Sequence, residues 1–157
     1  MSALKEKLGK KIEDWRPRTT RLVKEFSNVK VDEVDIGQII GGARDIKCLV
    51  TDISYLDPYE GIRFRGLTIP EVIEKLPKVP GGEMPYVEGF FHFLLTGDIP
   101  STDDVKEVAE EFKNRSAVPK YVFDILRTMP KDSHPMVMFS TAILSMQRES
   151  VFVKEYN

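Results

Sequence analysis

Cysteine is all but missing from this sequence. Cys48 is the only one in 157 residues, so no disulfide can form within the chain and no cysteine cluster can hold a metal. A reducing compartment fits that usage. Histidine is nearly as scarce: His92 and His134 are the only two, far apart and without carboxylates at matching intervals, so no metal-ligand spacing exists. No apolar run reaches the ~20 residues needed to cross a bilayer, and the first residues lack the apolar stretch of a signal peptide. Charge of one sign is missing as well. Lys and Arg total 23 against 25 Asp and Glu, a net of -2, and the basic residues are scattered apart from KEKLGKK and RPRTTR near the start. A nucleic-acid partner is not expected from such a distribution, nor a membrane one. GxGxxG, the Walker loop, HExxH and GxSxG do not occur.

What is present reads mainly as helix. Leu4, Leu8, Ile12 and Trp15 recur at intervals of three and four within Ser2 to Ser27, and Pro17 predicts a kink or a second helix carrying Leu22, Val23 and Phe26. A short apolar segment, Asp35 to Ile40, stops at Gly41-Gly42. Thr68-Ile69-Pro70-Glu71 looks like a helix start with Thr68 as its cap, and Lys75-Leu76-Pro77 like its end. KVPGGEMP is a surface loop. A strongly apolar helix follows from about Tyr86 to Thr96, closed by Gly97. Ser101 to Asp104 supply caps and acids for the next helix, with Val105, Val108, Ala109 and Phe112 inward. Pro119 opens another, with Val122, Phe123, Ile125 and Leu126 inward. The run MVMFSTAILSM is apolar on nearly every side, which predicts a helix buried on most of its surface, at a subunit interface or against further chain. Cys48 to Ser54 and Ile62 to Phe64, separated by DPYEG, are the strand candidates. The fold class is therefore mainly α, multi-helical, with one small β-hairpin near residues 48–64, and the length suits a single domain over 1–157.

Few residues offer chemistry. Gly41-Gly42 with Arg44 is either a helix stop or an anion-binding turn with Arg44 as its charge. Arg63 and Arg65, two apart in an extended segment, would point to one side, and either bracket a carboxylate or pair with Asp57, Glu60 or other acids. His92, inside FFHFLL, reads as a hydrogen-bonded core histidine. His134, before Pro135, reads as a partner for backbone at a helix entry. Cys48, in KCLV, reads as a small buried thiol rather than a nucleophile.

The segments GGARDIKCLVTDISYLDPYEGIRFRG, IPEVIEKLP, GGEMPYVEGFFHFLLTGDIP and SHPMVMFSTAI, in that order, resemble the N-terminal portion of the large domain of citrate synthases of the mitochondrial type, from about residue 36 onward. The resemblance implies a mainly α-helical homodimer that condenses acetyl-coenzyme A with oxaloacetate. An aspartate and a histidine would enolise the thioester, a second histidine would polarise the carbonyl, and arginines would hold the dicarboxylate. Coenzyme A enters as substrate, and no permanent cofactor or metal is implied. The family's catalytic residues fall in motifs beyond those matched here, so no catalytic residue is expected in this chain, which by itself should be an inactive fragment without the small domain. Arg44 matches a family arginine that contacts the phosphates of coenzyme A. Residues 119–129 and 134–147 match two helices of the family's dimer interface.

Two other functions remain beside that one: a non-catalytic helical dimerisation module, and a 2-methylcitrate synthase taking propionyl-coenzyme A. Glu6, Glu13 and Asp14 are unlike a mitochondrial presequence, so a cytoplasmic location, bacterial in preference, is expected.

Overall fold

The computed structural model describes residues 3–43 and 45–156. They divide into two compact units, Met1–Phe112 and Lys113–Asn157. Helix dominates both, as the apolar spacing predicts, and the strands form one small antiparallel sheet.

In the first unit, helix α1 (Ala3–Phe26) is continuous through Pro17, so the expectation of a second helix there is corrected. Proline removes one backbone donor, and the turn that contains it is exposed, where water can take the freed carbonyl. The hydroxyls of Thr19 and Thr20 then donate to the carbonyls of Trp15 and Arg16 at 3.2 and 2.9 Å. Leu4, Leu8 and Trp15 are half-buried along the side that packs on helix α4 (Val87–Thr96). Leu22, Val23 and Phe26 remain exposed.

Helix α2 (Ile36–Ile40) is a little over one turn, started by a reciprocal cap in which Asp35 Oδ1 accepts from Gln38 N–H at 2.8 Å and Gln38 Oε1 accepts from Asp35 N–H at 3.0 Å. The three strands are β1 (Ser54–Asp57), β2 (Gly61–Phe64) and β3 (Leu67–Thr68), in the order β1-β2-β3. Ser54 faces Phe64, and Asp57 faces Gly61. The first strand therefore lies later than expected. Cys48 to Thr51 join no ladder, and Val50 is 90% exposed. Their β-branched composition fits a strand surface, but among the described residues no strand pairs with them.

The turn at DPYEG forms as its residues dictate: Asp57 Oδ1 accepts from the N–H groups of Tyr59 and Glu60 at 2.8 and 2.9 Å. Those two bonds hold the Asp57 carboxyl below its usual range. Between β2 and β3 a two-residue turn places both Arg65 (φ 49) and Gly66 (φ 83) in the left-handed region that a type I′ hairpin demands. Arginine is an unusual choice for that position, and β3 was not foreseen because Arg-Gly is not among the common hairpin signals.

Helix α3 (Ile69–Lys75) begins at the Thr68 cap. The Thr68 backbone N–H and hydroxyl both donate to Glu71 Oε2 at 2.8 Å, and Glu71 N–H donates back to Thr68 Oγ1. Val72, Leu76 and Phe93 form the core, packed by Phe64, Leu67 and Phe90. Phe64 and Phe90 meet edge to face at 4.9 Å. Helix α5 (Thr102–Asn114) buries Val105 and Val108 and approaches α4 so closely at Gly89 that an added Cβ would sit 3.1 Å from Val105.

The second unit holds α6 (Lys120–Thr128), α7 (Pro135–Ser145), a 3₁₀ turn over Met146–Glu149 and α8 (Val151–Glu155). Helices α6 and α7 pack together, and the Tyr121 hydroxyl donates to the Ser145 carbonyl at 3.2 Å. Val122 is the one buried residue among those described in this unit, and Phe123, expected inward, is exposed. The all-round apolar helix α7 is uncovered: Met136, Val137 and Phe139 are exposed, and Leu144 is 75% exposed.

Candidate functional site

Arg44, the one binding residue the sequence singled out, lies outside the described residues. The glycine pair before it has the geometry of a helix stop. Gly42 N–H donates to Ile39 O at 3.2 Å and Ala43 N–H to Gln38 O at 2.9 Å, with Gly42 at φ +83. This is the Schellman ending of a helix, with glycine at the left-handed position where other residues are strained. The amide groups of Gly42 and Ala43 are therefore spent on carbonyls of α2 and are not free to cradle an anion. Ala43 (φ 61) and Asp45 (φ 55) are also left-handed, so the backbone on both sides of position 44 is set in a conformation that costs a non-glycine residue roughly 1–2 kcal/mol.

A cleft of about 660 Å³ follows immediately, lined by Lys47, Cys48, Leu49, Tyr55, Leu56 and Pro58 among others. It mixes apolar walls with charged Lys47 and Asp45, and Lys47 Nζ lies 3.4 Å from Asp32. Cys48 is exposed, which corrects the expectation of a buried thiol: the chain around it never enters a strand, so nothing covers it.

Arg63 and Arg65 do not share a side. Strand β2 ends at Phe64, and the left-handed turn at Arg65 breaks the alternation that the argument needed. Arg63 forks onto Glu60, with Nε to Oε2 at 2.8 Å and a second bond from Nη2 to Oε1, and also donates to Gly66 O at 2.8 Å. That bond to Arg63 holds the Glu60 carboxyl below its ordinary range. Arg65 turns inward, its side chain 8% exposed. It donates to Leu94 O at 2.9 and 2.7 Å and to Leu95 O at 3.0 Å, thereby capping the last turn of α4. Asp52 lies 3.0 Å from its Nη1, and its guanidinium carbon sits 5.5 Å from the centre of the Trp15 ring. Both arginines are thus engaged with the protein itself.

His92 is 2% exposed and lies where α1, α4 and α5 converge. Its Nδ1 is 3.4 Å from Thr96 Oγ1, while Nε2 has no hydrogen-bond partner among the described residues and stands 3.9 Å from Asp104 Oδ1. Asp104 takes the ammonium of Lys7 and, at 2.9 and 2.8 Å, the Ser101 backbone N–H and hydroxyl. Burial pushes the Asp104 carboxyl upward, but Lys7 and Ser101 outweigh it and hold the group far below its usual range. The sequence could not show this cluster, because its members come from three helices. His134 caps α7, its Nδ1 accepting from Met136 N–H at 3.2 Å, as its place before Pro135 suggested. Among the described residues no three His, Cys, Asp or Glu side chains gather as metal ligands.

A family model described as "Citrate synthase, C-terminal domain" matches residues 42–156. The chain belongs to the citrate synthase family. It is 44% identical over 154 residues, 98% of its length, to the mitochondrial citrate synthase of Emericella nidulans, of which it covers 32%. To the probable mitochondrial citrate synthase of Glossina morsitans morsitans it is 43% identical over 156 residues, 99% of the chain and 34% of that protein. The mitochondrial 2-methylcitrate synthase of Yarrowia lipolytica is 42% identical over 153 residues, 98% of the chain and 33% of that protein. The likeness thus extends ahead of residue 36 into α1, and the chain spans about a third of the length of the curated relatives it matches. The expected cytoplasmic, bacterial setting is overturned, since these citrate synthase relatives are mitochondrial proteins of eukaryotes. A leader is a segment outside the folded enzyme, so acids such as Glu6, which belongs to α1, are no guide to it.

Proposed function

We propose that residues 1–157 supply the N-terminal part of the large domain of an enzyme that condenses acetyl-coenzyme A with oxaloacetate to citrate and coenzyme A. The family match over residues 42–156 carries this reading. The chain's own share is scaffold together with one substrate contact, from Arg44 to a phosphate of coenzyme A. The helix-stop geometry supports a contact made by the arginine side chain rather than by a backbone nest. His92 is enclosed by helices and His134 is spent on a cap, which supports placing the catalytic acid and base outside this chain. The small domain and the rest of the large domain likewise lie outside it. The uncovered apolar surface of α7 supports a homodimer that joins through residues 119–129 and 134–147. The relatives' names support a mitochondrial setting.

The test is a thiol-release assay on the 157-residue chain with acetyl-coenzyme A and oxaloacetate. No release above background is expected, and turnover would refute the absence of catalytic groups. Reading the encoding DNA past codon 157 completes it: an open frame running into further histidine and aspartate motifs is expected, and a natural stop would favour the dimerisation module instead. A propionyl-coenzyme A substrate is a second reading, favoured by the near-equal identity to the Yarrowia lipolytica 2-methylcitrate synthase.

A further inference from the structure

Besides its apolar packing on α4, helix α1 is moored to the rest of the first unit by polar contacts. Lys7 pairs with Asp104, Lys11 Nζ lies 2.7 Å from Asp98, and the Ala3 N–H donates to Glu107. The first of these mooring points touches a buried histidine. Thr96 has one hydroxyl proton and gives it to the His92 carbonyl at 2.9 Å, while accepting from Asp98 N–H at 3.1 Å. The Thr96 contact with the ring is therefore attractive only when Nδ1 carries the hydrogen. That tautomer leaves Nε2 as an acceptor 3.9 Å from the Asp104 carboxylate, with no hydrogen-bond partner among the described residues.

We propose that His92 makes the docking of α1 acid-releasable: a proton taken up from solvent at Nε2 draws Asp104 away from Lys7 and frees the first turns of the helix. The charged groups around the ring are Lys7 from α1, Asp104 from α5 and Asp98 from the connection between α4 and α5. One carboxylate cannot serve two cations at full strength, and the two cations repel each other, so the imidazolium and the Lys7 ammonium compete for Asp104. Burial pushes the ring's pKa down and Lys7 adds to that, against the pull of Asp104 and of the Asp98 backbone and carboxylate, so the docked state keeps His92 neutral near pH 7. Undocking returns the ring toward its ordinary value of about 6.5. The docked state is thus fully favoured above that value and loses ground as pH falls below it, by up to about tenfold in the docking equilibrium per pH unit until the docked-state pKa is passed.

Trp15, the sole tryptophan, reports on α1 directly. Its fluorescence and hydrogen exchange of the α1 amides, corrected for intrinsic rates, would be followed on the 157-residue chain from pH 7.5 to 5.5. The α4 amides around Phe93 serve as the internal reference. We expect α1 protection to fall severalfold while α4 holds, and His92→Gln to remove that slope. The α-amino group also titrates near this window, but equally in both proteins. Lys7→Met leaves His92 in place and removes its competitor, so it should flatten or reverse the slope, and it keeps the test intact should His92→Gln fail to fold. Constant α1 protection in the unmodified chain, or a full slope in Lys7→Met, would overturn the proposal.

Discussion

Replacing Arg65 tests whether one side chain ties together the hairpin, α1 and α4. Truncation to alanine leaves the Leu94 and Leu95 carbonyls without their donor at the end of a helix whose peptide dipoles already place negative charge there. A hydrogen bond from a charged donor contributes about 1.5–3 kcal/mol, and the Trp15 contact about 0.5–1. The pair with exposed Asp52 adds less than about 1. The cost of burying a guanidinium opposes these, so a net loss of about 3 kcal/mol is expected for Arg65→Ala. Position 65 also has φ 49. Glycine tolerates that conformation while alanine does not, so Arg65→Gly should lose about 1 kcal/mol less than Arg65→Ala although it removes more atoms. Urea unfolding followed by far-UV circular dichroism gives the answer. At a slope near 2 kcal/mol/M, the alanine variant should shift the midpoint down by about 1.5 M. A loss below about 1 kcal/mol, or glycine proving worse than alanine, would refute both the capping role and the strained turn.

Other perturbations follow from the same structure. Phe93→Ala, at a side chain 2% exposed in the core with Val72 and Leu76, should cost about 3–5 kcal/mol by chemical denaturation. Gly42→Ala meets no atom within 4 Å, so its penalty is conformational alone, and about 1 kcal/mol is expected from the same measurement. Cys48 should react with a thiol reagent in native buffer at nearly the rate of the unfolded chain, and strong protection would show that the thiol is covered. Glu71 has its carboxyl held down chiefly by the Thr68 N–H. Its stabilising effect is therefore present above the ordinary glutamate value and lost as pH falls through the lowered one, and Glu71→Gln should flatten that part of the stability profile.

Much of this architecture is local, and local features are legible. The Thr68 cap, the Gly97 stop, the Gly41-Gly42 stop and the Asp57 turn each follow from residues within a few positions of one another. What resisted reading depends on partners far along the chain. Arg65 finds its carbonyls 29 and 30 residues away, and Lys7 finds Asp104 at a separation of 97. Period and propensity carry no signal across such distances. Cys48 to Thr51 failed for a related reason, because a strand is defined by what lies beside it and their composition alone does not provide a neighbour. Arg44 drew notice beside the glycine pair, but its match to a coenzyme A contact came through family likeness, since the spacing around it does not distinguish a ligand arginine from a solvated one.

Stability is unevenly distributed over the first unit. The buried side chains fall between Val72 and Val108, whereas the chain from Leu22 to Val50 leaves its valines, its leucines and every isoleucine but the half-buried Ile46 exposed. A stretch without a core of its own exchanges and frays at low cost. Both neighbours of Arg44 belong to that stretch, so the order of events during maturation matters. Any ligand contact built there acquires a fixed geometry only after other surfaces have closed over the apolar residues around it. If the proposed Arg44 contact is made, recognition would be the last property to emerge, and affinity for coenzyme A would report on the completeness of the assembly.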